Sequence, residues 1–258
     1  MELNLAGKSV VVTGGSKGIG FACAKAFLEE GARVAILSRS AENVERACAA
    51  LPGVYGIAAD MSDATMAADA IAAATRHLSA IDVLVNSAGA AKRTPPDELS
   101  PQAYRAAMDA KYFSYIHAID PVVKAMAERG SGVIVNIVGN GGKVAAATHI
   151  AGGAANAALM LVTAGLANAY APRGVRIVAL NPGTTETGRV AEGLAAEARL
   201  AGIGVDEARQ RSVARIPIGR MASPEEIANA VLFLASDKAS YITGVSISMD
   251  GAANPVVV

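Results

Sequence analysis

The sequence contains no tryptophan, only two cysteines and no excess of charge of either sign. Its 258 residues include 23 Lys and Arg against 23 Asp and Glu, so the chain lacks the basic surface that binds nucleic acids or anionic membranes. Cys23 and Cys48 have neither the spacing of metal ligands nor the number that a disulfide framework needs. We therefore expect no nucleic-acid partner, no metal site and no disulfide.

Signals for export or membrane insertion are also missing from the sequence. The segment Met1-Glu2-Leu3-Asn4-Leu5 has no basic region followed by an apolar stretch. We expect no run of about 18 apolar residues anywhere in the chain. These absences predict a cytoplasmic protein with no membrane partner.

A glycine-rich turn close to the start of the chain is the most informative segment. The valines at 10–12 form a predicted strand that runs into Thr13-Gly14-Gly15-Ser16-Lys17-Gly18-Ile19-Gly20, and an amphipathic stretch follows. Glycines at this spacing let the backbone turn tightly and let a pyrophosphate approach closely. The next helix offers free N–H groups at its N-terminus. The pattern predicts a nucleotide-phosphate site at Gly14, Ser16, Lys17, Gly18, Ile19 and Gly20.

The end of the second predicted strand indicates which dinucleotide binds. An Asp or Glu at this place would hold the ribose 2′-hydroxyl, whereas an Arg accepts a 2′-phosphate. The strand Arg33–Leu37 is followed by Ser38-Arg39-Ser40, with no carboxylate. Arg39 and Lys17 supply two cations for a phosphate, which favours NADP(H) over NAD(H). The alternative is that both are solvated surface charges.

Apolar strands alternate with helical stretches along the whole chain. This alternation predicts one α/β domain over residues 1–258, a Rossmann-type doubly wound parallel sheet of about seven strands with helices on both faces. Ser100-Pro101 and Ser223-Pro224-Glu225-Glu226 are typical helix starts. The segment 188–216, rich in Ala, Gly and charge, is predicted to be a substrate lid. Strands are predicted near 8–13, 33–38, 54–58, 81–86, 132–138, 175–180 and 245–248.

Motifs distributed over the whole chain resemble those of the short-chain dehydrogenase/reductase family. Besides the glycine turn they are Asp60, Asn86-Ser87-Ala88-Gly89, Asn181-Pro182-Gly183 with Thr187, and the tail from Tyr241-Ile242-Thr243-Gly244 to Asp250-Gly251. The resemblance implies adenine contact at Asp60, ribose support from the turn after the fourth strand, and a nicotinamide site at Pro182. The cofactor-binding positions that it adds are Asp60, Met61, Asn86, Ala88, Gly89, Pro182, Gly183 and Thr187.

The catalytic positions of that family are all changed here. The family has a Ser after the fifth strand, a Tyr and a Lys on the next helix, and an Asn on the preceding helix; the Tyr transfers the proton. The matching positions in this chain are Gly139, Gly152, Asn156 and Lys111, in that order. Gly152 and Asn156 share one helix face, so we expect a roomy, rather apolar opening where a phenol would sit.

Four residues are candidates to replace the missing chemistry. Lys111, desolvated near the cationic nicotinamide, would have a lowered pKa that suits a proton donor, and His149 titrates near neutrality unaided. Asn140 and Asn156 can donate hydrogen bonds to a carbonyl but cannot supply a proton. The alternatives are that Lys111 only holds the ribose or a main-chain carbonyl, and that His149 is an ordinary loop residue. Tyr112 and Tyr115 are interpreted as core or interface aromatics.

Two functions follow from these features. The first is an NADP(H)-dependent oxidoreductase that acts on a small carbonyl or alcohol substrate through a non-standard proton-transfer arrangement. The second is a catalytically inactive NADP(H)-binding sensor or partner subunit. Fold alone does not choose between them, because function depends on the site. The helices near 101–127 and 152–171 correspond to those that pair in the family, so a homodimer or homotetramer is expected.

Overall fold

In the computed structural model, which describes residues 2–89 and 93–256, one parallel sheet forms the centre of the protein. The described strands pair in the order β3-β2-β1-β4-β5-β6-β7. Each predicted strand is present, with its ends shifted by no more than two residues. The strands are β1 (Ser9–Thr13), β2 (Arg33–Ser38), β3 (Tyr55–Ala58), β4 (Val83–Asn86), β5 (Gly132–Ile137), β6 (Val175–Pro182) and β7 (Ser246–Met249).

Helices cover both faces of the sheet, as the alternating pattern predicts. One face packs against α1, α2 and α9, and the other against α3, α5 and α6. On β1, Val10 and Val12 enter the first core and Val11 the second, because successive side chains point to opposite faces. The helices are α1 (Gly18–Glu29), α2 (Ala41–Ala50), α3 (Ala64–Leu78), α4 (Pro101–Ala107), α5 (Ser114–Arg129), α6 (Ile150–Tyr170), α7 (Gly188–Ala201), α8 (Val205–Ala214) and α9 (Pro224–Ala235).

Two predicted helix starts are present with their caps. The Ser100 hydroxyl accepts a hydrogen bond of 3.2 Å from the Ala103 amide at the start of α4. At α9, the Ser223 hydroxyl and the Glu226 carboxylate form a reciprocal capping box. The strand order reverses between β1 and β4, and the carboxyl ends of these strands border the crevice where open α/β sheets bind ligands.

The helix predicted over 101–127 is interrupted by a π-helical turn, Met108–Phe113, between α4 and α5. Gly89, in the loop after β4, lies directly against this π-helical turn. Its φ is +83°, and a Cβ atom at this position would overlap the carbonyl oxygen of Ala110 in the turn. The loop after β4 and the π-helical turn are therefore in direct backbone contact. The sequence pattern did not predict this interruption. The π-helical turn changes which face of the helix the residues after it occupy.

Helix α6 corrects one expectation from the sequence. The segment Ala147–Arg173, 27 residues, is long and apolar enough to cross a membrane by length and composition, so the expectation that no such segment exists is wrong. The reason is that the polar residues between His149 and Arg173 are uncharged. In the fold, α6 packs against β6, with Asn156 and Thr163 buried on its inner side.

The predicted lid segment 188–216 forms two helices, α7 and α8, which pack on each other. They enclose a small apolar cluster that is separate from the two cores of the sheet. Helix α7 begins directly after Thr187, at the carboxyl end of β6. A lid role for α7 and α8 stays a prediction. The cluster consists of Leu194, Ala198, Ala208, Ile216 and Met221.

Candidate cofactor and substrate site

The glycine turn has the tight backbone that its sequence predicts. Gly14 has a φ of +68°, and a Cβ atom there would lie 2.7 Å from the Ser87 carbonyl oxygen. A Cβ atom on Gly20 would overlap the Gly14 carbonyl oxygen, so the helix packs directly on the turn. Lys17 is the N-cap of α1 and makes no side-chain cap hydrogen bond within the described residues. The first N–H groups of α1 therefore lack a capping side chain, as a phosphate site requires.

A cavity of about 420 Å³ opens beside this turn. Two cationic side chains, Lys17 and Arg46, reach it from α1 and α2. The Ser16 and Ser38 hydroxyls are hydrogen bonded at 2.7 Å, which joins the glycine turn to the end of β2. Lys17 and Arg46 place positive charge at this cavity, and Arg46 also lies 3.7 Å from the Glu42 carboxylate. Its lining residues are Ser16, Lys17, Gly18, Phe21, Asn43, Arg46, Ala47 and Gly188.

Arg46 and Asn43 line this cavity but were not predicted from the sequence, and the predicted phosphate contact of Arg39 stays a prediction. Arg39 is not among the lining residues; its charge acts on Asp60, whose pKa is lowered chiefly by hydrogen bonds from Ser62. The Asp60 carboxylate accepts the Ser62 amide at 2.9 Å and the Ser62 hydroxyl at 2.7 Å. Asn43 and Arg46 are three residues apart on the first turns of α2, a helical spacing that could have indicated a shared face.

Several other predicted cofactor residues, close to the crevice, also pack in the cores or form hydrogen bonds within the protein. The Met61 side chain is buried in the core, and its carbonyl oxygen lies 2.9 Å from His117 Nδ1. Ile19 packs against the opposite core. The Ala88 amide donates to Thr13 Oγ1 at 3.2 Å. The Met61 side chain therefore belongs to the core, and its carbonyl oxygen contacts His117.

Asn86 belongs to a buried chain of polar side chains at the strand ends. Thr13 Oγ1 donates to Asn86 Oδ1 at 3.3 Å, and Asn86 Nδ2 donates to Asn136 Oδ1 at 2.9 Å. Asn136 Nδ2 then donates to Thr163 Oγ1 on α6 at 2.9 Å. These four side chains are fully buried. They fix the carboxyl ends of β1, β4 and β5 relative to the helix that follows β5.

The segment after β6 also lies at this edge. The Gly183 amide donates to the Met249 carbonyl at 3.0 Å, and a Cβ atom on Gly183 would lie 2.7 Å from Cβ of Asp250. Thr187 is the N-cap of α7, and its Cγ2 lies 3.3 Å from the position of a Cβ atom on Gly18. The predicted Pro182–Thr187 segment is thereby adjacent to the glycine turn.

Lys111 lies in the π-helical turn with its amine buried; 8% of the residue is exposed. Its Nζ donates to Tyr115 Oη at 2.8 Å and to the Ile137 carbonyl oxygen at 3.0 Å. The Tyr115 hydroxyl also donates to this carbonyl, at 2.6 Å. The structure therefore holds Lys111 on a main-chain carbonyl at the end of β5, one of the two alternatives to proton donation. Tyr115 is a core aromatic, as predicted.

The buried position changes the protonation of both side chains. Burial, with a contribution from the positive charge of Arg189 on α7, lowers the pKa of Lys111 to about 7. Burial raises the pKa of Tyr115, so the phenol stays protonated. Burial thus brings the pKa of Lys111 from its ordinary value of 10.5 toward neutrality.

Glycines approach Asn156 and His149 closely at the carboxyl end of β5. Gly139 has a φ of +116°, and a Cβ atom on it would lie 3.5 Å from Asn156 Nδ2. Asn156 is 5% exposed, and its Nδ2 lies 3.5 Å from the Gly139 carbonyl oxygen. A Cβ atom on Gly141, which sequence reasoning missed, would lie 2.8 Å from His149 Cδ2. Gly152 is buried on the same helix as Asn156. The structure brings Gly139, Asn156 and His149 together.

His149 and Asn140 each have one unpartnered buried atom. Within the described residues, His149 Nδ1 and Asn140 Oδ1 have no hydrogen-bond partner. The pKa of His149 is lowered by burial and then by the charges of Arg93 and Lys111. Asn140 Nδ2 donates to Asp250 Oδ2 at 2.7 Å, which occupies one of its N–H groups. Proton donation by His149 and hydrogen bonding by Asn140 stay predictions.

Comparison with known proteins identifies the family. Residues 14–254 match a family model described as enoyl-(acyl carrier protein) reductase. The chain is 36% identical to D-threitol dehydrogenase from Mycolicibacterium smegmatis, over 97% of this chain and 94% of that protein. The chain therefore belongs to the short-chain dehydrogenase/reductase family. Its curated relatives in this family are oxidoreductases.

Solved structures agree with this assignment. L-sorbose reductase from Gluconobacter frateurii, complexed with NADPH and L-sorbose, superposes with a TM-score of 0.93 at 26% identity and covers the whole of both chains. The 3-ketoacyl-(acyl-carrier-protein) reductase from Brucella melitensis, complexed with NADH, has a TM-score of 0.86 at 28% identity, over 97% of this chain and 99% of that one. The fold is therefore of the type that binds nicotinamide cofactors.

Proposed function

We propose that the protein is an NADP(H)-dependent oxidoreductase acting on a small carbonyl or alcohol substrate. The observation that supports NADP(H) is the cavity beside the glycine turn, which places Lys17 and Arg46 next to Ser16. Ser38 stands at the end of β2, where a carboxylate would favour NAD(H). A 2′-phosphate bound here would compensate the charge of Lys17 and would attract Arg46, which now pairs with Glu42 at 3.7 Å; a 2′-hydroxyl would do neither.

The remaining cofactor contacts are assigned by position along the crevice. Gly14, Gly18 and the free N–H groups of α1 would hold the pyrophosphate. Asp60 would meet the adenine, and the loop Asn86–Gly89 would support the ribose. Pro182, Gly183 and Thr187 would hold the nicotinamide amide. When bound, NADPH supplies the hydride.

Lys111 is our candidate for proton transfer at the substrate oxygen. Its amine is close to half protonated at neutral pH, because burial lowers its pKa to about 7. An amine in this range is suited to act as general acid and base. His149 is the second candidate, and Asn156 would orient the substrate oxygen by a hydrogen bond.

A catalytically inactive NADP(H)-binding protein, either a sensor or a partner subunit, is the second candidate function. Glycine at 139 and 152 and Asn at 156 favour it, since they stand where the family has its Ser, Tyr and Lys. The Tyr115 phenol does not replace the missing one, because it is fully buried on the Ile137 carbonyl.

A cofactor-binding titration together with a substrate panel tests the two functions. NADPH binding followed by its oxidation with any of a broad set of aldehydes and ketones supports the enzyme. Tight NADPH binding without turnover on that panel or on the matching alcohols with NADP⁺ supports the sensor. In that case the double variant Gly152→Tyr and Asn156→Lys is expected to create activity, because the surrounding site would lack only its acid.

We further propose that α7 and α8 close over the substrate and that the protein assembles as a homodimer or homotetramer. Exposed apolar side chains support the assembly: Leu161 on α6 is 77% exposed and Phe113 is 40% exposed. A cytoplasmic location is proposed on the two free thiols, of which the buried Cys23 has its pKa raised to about 12 by desolvation.

A further inference from the structure

One peptide unit joins His117 on α5 to the Asp60 carboxylate. The unit is the planar bond between Met61 and Ser62, which presents a carbonyl oxygen on one side and an N–H group on the other. The carbonyl oxygen lies 2.9 Å from His117 Nδ1. The N–H group donates to Asp60 Oδ1 at 2.9 Å. The two side chains are therefore coupled through a single planar group of atoms.

The contact with the carbonyl oxygen fixes the tautomer of His117. A carbonyl oxygen only accepts hydrogen bonds, so Nδ1 carries a proton and is the donor. The Phe113 ring is stacked on the imidazole, with 6.0 Å between the ring centroids and an interplanar angle of 28°. The half-buried imidazole thus holds a peptide unit that belongs to another segment, 56 residues away in the chain.

The Asp60 carboxylate depends on this peptide unit for its orientation. Its Oδ1 accepts the Ser62 amide and, at 2.7 Å, the Ser62 hydroxyl. These hydrogen bonds are the main cause of the lowered pKa of Asp60, so the carboxylate is charged at neutral pH. Its Oδ2 accepts no hydrogen bond from the residues that the structure describes. This second oxygen can therefore accept a hydrogen bond from a ligand.

We propose that His117 is a positioning residue for the cofactor, which holds the Met61–Ser62 peptide so that the Asp60 carboxylate faces the amino group of adenine. That amino group donates hydrogen bonds, and a charged carboxylate is a strong acceptor. The buried Met61 side chain restrains one end of the peptide. Without His117 the peptide is free to rotate, and the Ser62 N–H group no longer orients the carboxylate. The inference rests on the proposed function, since it concerns the adenine contact of the same site.

Affinity for two forms of the cofactor tests this role without any turnover. NADPH and deamino-NADPH differ only at the purine, where an oxygen replaces the adenine amino group. Calorimetry of the wild type should show that NADPH binds about tenfold more tightly, as a hydrogen bond to a charged group implies. In His117→Leu the ratio of the two affinities should fall to about threefold or less, since the carboxylate is no longer oriented. Affinity for deamino-NADPH should be nearly unchanged.

Conservative variants separate positioning from folding. His117→Asn places an amide nitrogen near the position of Nδ1 and should keep the wild-type ratio, whereas His117→Gln places it one bond further away and should not. If His117→Leu fails to fold, this pair decides. His77→Leu is the matched control, because His77 on α3 is also stacked on an aromatic ring, that of Tyr55, with 3.9 Å between centroids.

A double variant shows whether the histidine acts through the carboxylate. Asp60→Ala should abolish the preference for NADPH over deamino-NADPH, and the addition of His117→Leu should change the ratio no further. A wild type that binds the two cofactors equally overturns the proposal. So does a His117→Leu variant in which both affinities fall by the same factor, because that result shows a merely structural role.

These titrations separate the inference from the proposed function. If NADPH binds but no substrate of the panel is reduced, the oxidoreductase proposal fails, and the ratio still decides the role of His117. If substrates are reduced and the ratio survives in His117→Leu and His117→Gln, the function stands and the positioning role is wrong. If the wild type binds neither cofactor, both proposals fail.

Discussion

Asn86 and Asn136 face each other in register on β4 and β5, and their side-chain amides form a hydrogen bond of 2.9 Å in the fully buried interior. Each amide has a second partner, Thr13 for Asn86 and Thr163 for Asn136. The four side chains provide hydrogen-bond partners for one another in an interior that water does not reach. Loss of one member leaves its neighbours buried without partners, which is more costly than loss of an exposed hydrogen bond.

We expect Asn136→Ala to lower the free energy of unfolding by about 2–4 kcal/mol, because the Asn86 side-chain amide loses its acceptor and the Thr163 hydroxyl loses its donor. Chemical denaturation measures the change. Thr75→Val is the control, since the Thr75 hydroxyl donates only to the Ile71 carbonyl of its own helix. A loss for Asn136→Ala no larger than that for the control would mean that the buried chain does not act as a unit.

Cofactor preference depends on the charge beside the glycine turn. At a hundredfold excess over its dissociation constant, NADPH should stabilise the protein by about 2.7 kcal/mol, and NADH at the same concentration by much less. Arg46→Met and Arg39→Asp, tested separately, should each reduce the advantage of NADPH, with the larger loss at the residue that contacts the phosphate. Lys25→Met, which removes a lysine paired with Glu29 on α1, is the control. Equal thermal shifts with the two cofactors would contradict the preference.

Substitution of Lys111 separates a proton-transfer role from a cofactor-binding role. Lys111→Met should leave NADPH affinity nearly unchanged and slow carbonyl reduction by about 10²-fold to 10⁴-fold, with loss of a titration near pH 7 in kcat. Lys124→Met, an exposed lysine on α5 paired with Asp120, is the matched control. A fall in NADPH affinity with little change in the saturated rate would show instead that Lys111 holds the ribose.

Lys111 also predicts how stability depends on pH. Its pKa in the folded protein is about 7, below the ordinary value of 10.5, so between these values the unfolded chain binds more protons. The stability of the wild type relative to Lys111→Met should therefore rise as the pH is raised from about 7 to 10. Below pH 7 the buried amine is charged in the folded protein, and its full destabilising contribution is present. Denaturation of both proteins at several pH values measures this difference, and a flat difference would contradict the lowered pKa.

Assembly can be tested at the exposed face of α6. Light scattering at micromolar concentration should give a dimer or tetramer of the 26.0 kDa chain. Leu161→Arg should shift the mass toward the monomer, because the charge would enter the proposed interface. Val205→Arg, at an exposed apolar residue of α8, serves as the control. A wild-type mass equal to one chain would remove the proposal.

The sequence predicted the strands, the helix starts and the glycine turn because each depends on residues that are close together in the chain. Arg46 was not predicted, since the cavity that it lines together with Lys17 forms only when distant segments of the chain fold together. The contact of Lys111 with the Ile137 carbonyl was left as an alternative, because it depends on a π-helical turn whose register the hydrophobic pattern does not encode. The pairing of Asn86 with Asn136 requires the register of two strands that are far apart in sequence.

The backbone contact between Gly89 and Ala110 joins two parts of the protein that have different tasks. Gly89 ends the loop that would support the cofactor ribose, and Ala110 precedes the lysine held at the end of β5. With no side chain between them, neither segment has free space in which to shift alone. A shift of the loop after β4 would therefore press on the π-helical turn, so the two segments are coupled mechanically through main-chain atoms alone.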